Sequence, residues 1–557
     1  MIFNDDKQDE ELKKLKSAEE EDLAKILGSR MEVPYINLFS YPVAIDAIRI
    51  IDEKTARATN TAVFNMVNKK VFVGALSPQT DAVKQIIDDL TRKGYDTELY
   101  IVSEQSLKKV WDRYADLSHA TVTEGGSVII SEENIKALRE EIKALSDVTK
   151  IIGNLSKGKE ANRLTKILEA MLAGALSLKV SDIHLEPTET EVRLRFRLDG
   201  ILTDVINFDG HTYSQVLSRI KLISGMKVNL NGAQDGRFSI KIGDAEIEIR
   251  SSIVPSTYND SIVMRILDPA SISVTLEKLG IHPRLLTILQ REMDKPNGMI
   301  LTTGPTGSGK TTSLYAFLRK KYNPEIKIIT IENPIEYHMK GIVQTQTDEK
   351  KNYTFASGLK AALRQDPDVI MVGEIRDNET ASIAINSALT GHIVFSTLHT
   401  NNAAGTYPRL IDLGISPKVL TSALTVSMAQ RLLRRLCPEC KKENSLEGHE
   451  KELAEHVIST IGDLTYLEGI QKEKHYTSVG CDKCNKGYKG RTGVYEAILS
   501  DKAIEDVVVN NPSEREIWAA AKPQNILNMK QDAILKILSG ETSFEEVKRV
   551  VDLESDY

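Results

Sequence analysis

Four short apolar runs mark the second half of the chain: Met299-Ile300-Leu301 before Thr302-Thr303, Ile328-Ile329-Thr330-Ile331, Val369-Ile370-Met371-Val372 and Ile393-Val394-Phe395. Runs this short and unbroken predict strands buried on both faces, as in a parallel α/β sheet; helical stretches lie between several of them. Before Gly298 the texture differs. Val192-Arg193-Leu194-Arg195-Phe196-Arg197-Leu198 alternates apolar and basic residues, which predicts a strand whose two faces differ. A helix is expected from Leu164 to Leu176. Residues 33–115 read as a small α+β module, with strands at Ala62–Phe64, Lys70–Leu76 and Tyr100–Val102. Between them, the spacing of Ile86, Ile87 and Leu90 predicts an amphipathic helix over 82–90. Residues 1–30, rich in Glu and Lys with Leu12, Leu15, Leu23, Ile26 and Leu27, read as one or two surface helices.

Residues 117–160 read as a linker, with Gly125-Gly126, a charged helix near Glu132–Leu145 and the polar run Asn154–Asn162. The expected division is an N-terminal domain over 1–116, the linker, a second domain over 161–275 and an α/β domain over 276–557. The last carries a cysteine-bearing subdomain at about 430–496. A chain of 557 residues is too long for one hydrophobic core.

The net charge of −7 gives no overall basic field to attract phosphates, so no nucleic-acid partner is expected. No apolar run is long enough to span a bilayer. Met1-Ile2-Phe3-Asn4-Asp5-Asp6 lacks the basic-then-apolar order of a secretory signal. The expected location is the cytoplasm, with membrane contact only through partners.

Gly304-Pro305-Thr306-Gly307-Ser308-Gly309-Lys310-Thr311 fits the phosphate-loop pattern G-x4-G-K-[ST], after one predicted strand and ahead of a helix opening at Thr312. Glycines let backbone N–H groups curl around a phosphate, and the helix N-terminus adds positive dipole. Lys310 is placed to reach the β- and γ-phosphates and Thr311 to ligate Mg²⁺. The bland alternative is a glycine-rich turn with a chance lysine. The pattern speaks for nucleotide binding and by itself not for hydrolysis.

Glu374 lies just past the Val369–Val372 run, where strand ends face a nucleotide crevice. It is the candidate for polarising attacking water or holding a magnesium hydration shell. Glu332 and Glu336 follow another buried run; either suits a magnesium-bound water and either suits an ordinary surface acid. His392 and His399 bracket the Ile393–Ser396 strand. A histidine there can sense a γ-phosphate, but a lone histidine is more often structural. The four cysteines form two C-x2-C knuckles, Cys437/Cys440 and Cys481/Cys484. Their spacing suits a closed, structural Zn²⁺ site, with iron as the residual alternative.

From about residue 160 onward the chain resembles the secretion ATPase superfamily of type II secretion and type IV pilus assembly. Leu363–Asp368 through Gly373–Asp377 is similar to that family's Walker B stretch. Leu389–His392 through Ser396–Asn401 is similar to its histidine box, and Ile331–Tyr337 to its aspartate box. Ser181–Pro187 and Gln234–Arg237 match its N-terminal ATPase subdomain. The zinc motif and Gly490-Arg491-Thr492-Gly493-Val494-Tyr495-Glu496 match the assembly branch. Three positions depart from the pattern: Asn333 where an aspartate is usual, Asn231-Gly232-Ala233, and Tyr258-Asn259-Asp260.

The resemblance implies a RecA-like P-loop core, a preceding PAS-like α+β subdomain, a zinc-binding insertion and a small N-terminal docking domain. It implies a homo-hexamer that hydrolyses ATP with Mg²⁺. The implied partners are an inner-membrane platform protein and a cytoplasmic docking protein. It assigns Arg250 and Arg265 as arginines that reach the γ-phosphate, and it favours a role for His399. Two other classes compete. A nucleic-acid motor predicts DNA-stimulated hydrolysis, and a nucleotide-binding scaffold predicts none.

Overall fold

The computed structural model describes residues 19–554 except 32, 39–40, 42, 44, 49, 68–69, 115–121, 124–126, 129–130, 159–161, 229, 231, 244, 270–273 and 511. Leu12, Leu15 and Asn231 fall outside these. The chain forms two compact units, one over residues 1–130 and 159–162 and one over 131–158 and 163–557.

In the first unit, strands Thr61–Val67, Lys70–Ala75 and Asp96–Ile101 form one sheet in that order. The first two are antiparallel and the last two parallel. Helix Asp81–Arg92 joins the parallel pair, burying Val83, Ile86 and Leu90. The third strand starts earlier than its apolar residues indicate, because exposed Asp96 and half-buried Thr97 and Glu98 sit in the ladder. Residues 19–31 form a helix, as expected, and its apolar residues do not mark its buried side. Leu23 and Ile26 are exposed, while Ala24 and Glu21 are buried. Glu21 is held by the hydroxyls of Tyr35, Ser103 and Ser106.

In the second unit, helices Glu132–Glu141 and Leu145–Lys157 bury Ile135, Val148 and Ile152. Residues 131–158 are therefore part of a folded unit, where the sequence suggested linker. The helix near Glu132 was expected; the buried apolar positions of Leu145–Lys157, recurring at helical spacing, were not read. Helix Arg163–Ser177 follows, then an antiparallel run of strands in the spatial order Gln234–Ile242, Ala245–Pro255, Asp260–Leu267, Asp182–Pro187, Val192–Leu198, Ile201–Phe208. One face of these strands is apolar and buried; the other is charged. The Val192–Leu198 alternation obeys this, with its apolar residues buried and its arginines half-buried. In one register row across the charged face lie Arg237, Arg250, Arg265, Asp182 and Arg197.

The α/β domain is built on a seven-stranded sheet: Val343–Gln346, Ile328–Glu332, Val369–Val372, Ile393–Leu398, Gly298–Thr303, Leu424–Leu436 and Tyr488–Leu499. All neighbours are parallel except the last pair. The four runs read from sequence are its fully buried centre. Apolar cores cover both faces. Between the last two strands, residues 441–480 carry helix Gly448–Ser459 and the hairpin pair Lys442–Ser445 and Lys474–Thr477.

Candidate active site

Three consecutive neighbours in the sheet present the site at their C-terminal ends. The phosphate loop follows Gly298–Thr303, His399 follows Ile393–Leu398, and Glu374 follows Val369–Val372. Gly304, Gly307 and Gly309 have φ of 147°, 80° and 91°, a left-handed region that side chains with a Cβ avoid. At Gly304 a Cβ would also sit 2.7 Å from Gln430 O. Gly309 caps helix Lys310–Lys321. The crest Pro305-Thr306-Gly307 and Thr311 are exposed and Thr312 is half-buried.

The Lys310 ammonium is nearly buried and donates to Gly304 O at 2.7 Å and Pro305 O at 3.2 Å. Burial pushes its pKa down, and the charge of Glu374 opposes that. The buried Ser308 hydroxyl has no hydrogen-bond partner. An open left-handed cradle, an orphaned hydroxyl and a lysine resting on loop carbonyls are what a phosphate-binding loop requires.

Glu374 is largely buried, with Arg376 Nη2 at 2.5 Å and His399 Nε2 at 3.4 Å. The two strand ends are tied together: Ile375 N donates to Thr397 O at 3.0 Å, and Thr397 Oγ1 to Gly373 O at 2.8 Å. The two histidines separate here. His392 sits at the opposite end of its strand, its Nδ1 3.0 Å from Ser387 O.

Glu332 is buried, and both its oxygens are engaged. One accepts from Tyr315 OH; the other accepts from Thr330 Oγ1 at 2.5 Å and Gln344 Nε2 at 3.1 Å. The Tyr315 hydroxyl in turn accepts from Glu336 N at 3.3 Å. Burial pushes the Glu336 carboxyl pKa up, while Arg250 and Arg265 pull it down. Arg250 spans from the charged sheet face to this segment. Its Nη1 lies 3.5 Å from Glu336, and its Nη2 donates to Ile335 O at 2.5 Å. Arg265, its register partner, is more exposed and donates to Asp182 at 2.9 Å.

The family described as "Type II/IV secretion system protein" matches residues 157–549. This chain belongs to that family. Its relatives include the type IV pilus assembly ATPase PilB of Myxococcus xanthus, 34% identical over 541 residues, which is 96% of this chain and 92% of the relative. The type II secretion system protein E of Dickeya dadantii is 41% identical over 403 residues, 72% of this chain and 78% of the relative. Among solved structures, the ATPase DotB of Yersinia pseudotuberculosis shares the fold, with a TM-score of 0.52 at 19% identity over 72% of this chain and 95% of that one. As a member, this protein is an ATP-hydrolysing secretion ATPase of the type II secretion and type IV pilus class.

In this secretion ATPase the four cysteine sulfurs all lie within 4.8 Å of one another. Separations of 3.9 Å (Cys437–Cys481), 3.7 Å (Cys440–Cys484) and 3.6 Å (Cys481–Cys484) exclude disulfides. They match the roughly 3.8 Å edge of a tetrahedron with Zn–S bonds of about 2.3 Å. The quartet joins the end of Leu424–Leu436 to the approach of Tyr488–Leu499, closing the base of the inserted segment.

Sequence reasoning missed the residues that brace this site. Gln430, almost fully buried, donates from Nε2 to Ser308 O at 2.8 Å. Arg431 donates to Asn401 O. Thr303 and Thr400 join through their hydroxyls at 2.7 Å. The available signal was Gln430-Arg431 set between the apolar pairs Met428-Ala429 and Leu432-Leu433, with Gln430 in a largely buried strand.

Proposed function

We propose that this chain is the motor of a type II secretion or type IV pilus machine. It works as a hexamer and turns ATP hydrolysis into addition of pilins or pseudopilins through an inner-membrane platform protein. The observation that carries this reading is the convergence of the phosphate loop, His399 and Glu374 on three adjacent parallel strand ends.

The backbone N–H groups of Gly304 and of residues 306–312 bind the phosphates, Pro305 having none to give, and Lys310 exchanges its two loop carbonyls for phosphate oxygens. Thr311 is the direct ligand for Mg²⁺, with Glu332 and Glu336 ordering its surroundings; the ion, when bound, neutralises phosphate charge. Glu374 polarises the attacking water, and His399 orients that carboxylate. Arg250 and Arg265 stabilise charge on the transferring group when the subdomains close. The cysteine quartet holds Zn²⁺ as a structural ion.

The protein works at the cytoplasmic side of the inner membrane, held there by partners. Among the described residues no helix is long and apolar enough to cross a membrane. The first unit docks a cytoplasmic protein of the machine.

The test is Glu374→Gln. It should keep nucleotide affinity while phosphate release falls by about 10²-fold or more. Equal phosphate release from variant and wild type would remove Glu374 from the chemistry.

A further inference from the structure

Glu496 is fully buried in strand Tyr488–Leu499 and has no part in the chemistry described above. Its two oxygens grip two distant segments. Oε1 accepts from Ala403 N at 2.8 Å, and Oε2 accepts from Met529 N at 3.0 Å. Met529 is the first residue of helix Met529–Leu538. Ala403 lies four residues after His399.

The segment between them is held at further points. Thr400 Oγ1 meets Thr303 Oγ1 at the end of the phosphate-loop strand and donates to Asn402 O at 2.9 Å. Asn401 O accepts from Arg431, and Asn402 Nδ2 donates to Glu514 at 2.7 Å. A chain of contacts therefore runs from helix Met529–Leu538, through Glu496, to the segment after the histidine and to the phosphate-loop strand.

A buried carboxylate is costly, and one carboxamide oxygen supplies only half of what these two amides require. An acid retained in such a place serves the geometry of what it holds. We infer that Glu496 is a positioning residue for hydrolysis, fixing the turn that carries His399 beside Glu374. This rests on the reading of Glu374 and His399 as the hydrolytic pair.

The charged groups around it are few. Arg431 on the neighbouring strand lowers its pKa, and Glu514 on helix Glu514–Ala521 raises it. Asp532 of helix Met529–Leu538 is turned to Tyr495 N and Lys536. Burial dominates and pushes the Glu496 carboxyl up to about 7. The ionised group accepts from both amides fully; protonation turns one oxygen into a hydroxyl and loosens one arm of the grip.

The experiment compares steady-state hydrolysis of full-length wild type and Glu496→Gln across pH 5.5 to 8.5, with ADP binding measured alongside. The expected result is a kcat lowered by about tenfold, with ADP affinity within about threefold of wild type. The wild-type rise in kcat near pH 7 should be absent from the variant. A wild-type kcat with an unchanged pH profile would overturn the inference, as would ADP affinity lost in step with kcat.

Met529→Pro gives a second reading if Glu496→Gln folds poorly. Proline is accepted at the first helical position and deletes the amide donor to Oε2; because it also removes the buried Met529 side chain, Met529→Ala, which keeps the donor, is its control. It should lower kcat in the same direction, and an unaltered kcat there counts against the role. Wild type without ATPase activity would sink the proposed function instead, so the two failures are distinct.

Discussion

Lys310 and Glu496 are buried ionisable groups that answer the cost of burial differently. Lys310 directs its ammonium at carbonyls that a phosphate can replace, which keeps a binding charge ready. Glu496 takes two backbone amides from remote segments of the fold. Its folded pKa of about 7 lies above the ordinary 4.5. The folded protein therefore keeps a proton that the unfolded chain releases. The stability from this site is complete below about pH 4.5, and it falls as pH rises toward 7. The loss is on the order of 3 kcal/mol. Urea unfolding of wild type against Glu496→Gln across that window should display it, with the variant's curve flatter. Parallel curves would show that the carboxyl titrates normally.

Helices and strands here are set by close approaches as much as by apolar periodicity. Helix Arg163–Ser177 brings Gly174 against Val148, where an added Cβ would lie 2.8 Å from Val148 Cγ2. Alanine is ordinarily the better helix residue by about 1 kcal/mol. Gly174→Ala should nevertheless cost about 1–3 kcal/mol of stability from overpacking, and Val148→Ala in the same chain should recover most of it. Denaturant midpoints of the single and double variants settle this. The inserted segment 441–480 depends on the cysteine quartet in a similar way. Cys481→Ser should release bound zinc and loosen helix Gly448–Ser459, measured by metal content and amide exchange. The nucleotide affinity of the phosphate loop should survive.

At the scale of the second unit, polar contacts among the described residues join the antiparallel sheet to the α/β domain. Arg250 reaches Ile335 O and Glu336, Gly490 N donates to Asp199 at 2.9 Å, and Asn485 Nδ2 donates to Thr203 at 3.3 Å. Polar contacts of this kind suit an interface that opens and closes. Arg250→Ala and Glu336→Gln should show a coupling of about 1 kcal/mol in a double-mutant cycle on unfolding. Arg250→Ala should also slow hydrolysis. Additive effects would mean the pair is incidental. Because Arg250 helps hold the Glu336 carboxyl down, its loss should shift that group's titration upward.

Much of this was legible in the chain. Unbroken apolar runs revealed the centre of the sheet because strands covered on both faces leave no room for polar alternation. The phosphate loop and the knuckles were legible because backbone conformation and metal ligation demand fixed residue types at fixed spacing. Strands Leu424–Leu436 and Tyr488–Leu499 and helix Leu145–Lys157 went unread because polar and charged residues interrupt their apolar positions, whereas the charged helix near Glu132 was expected. The buried side of helix 19–31 was not legible, because its contact is a carboxylate held by three hydroxyls.

The amino-acid order by itself determined what each segment can bind, since that chemistry resides in local residue types. Only the tertiary structure decided which groups meet. It alone separated His399 from His392, enclosed Glu332, faced Arg250 toward Glu336 and hung two remote amides on Glu496. Hydrogen bonds and ion pairs across dozens of residues depend on where strands pair and helices pack, and no local pattern encodes that.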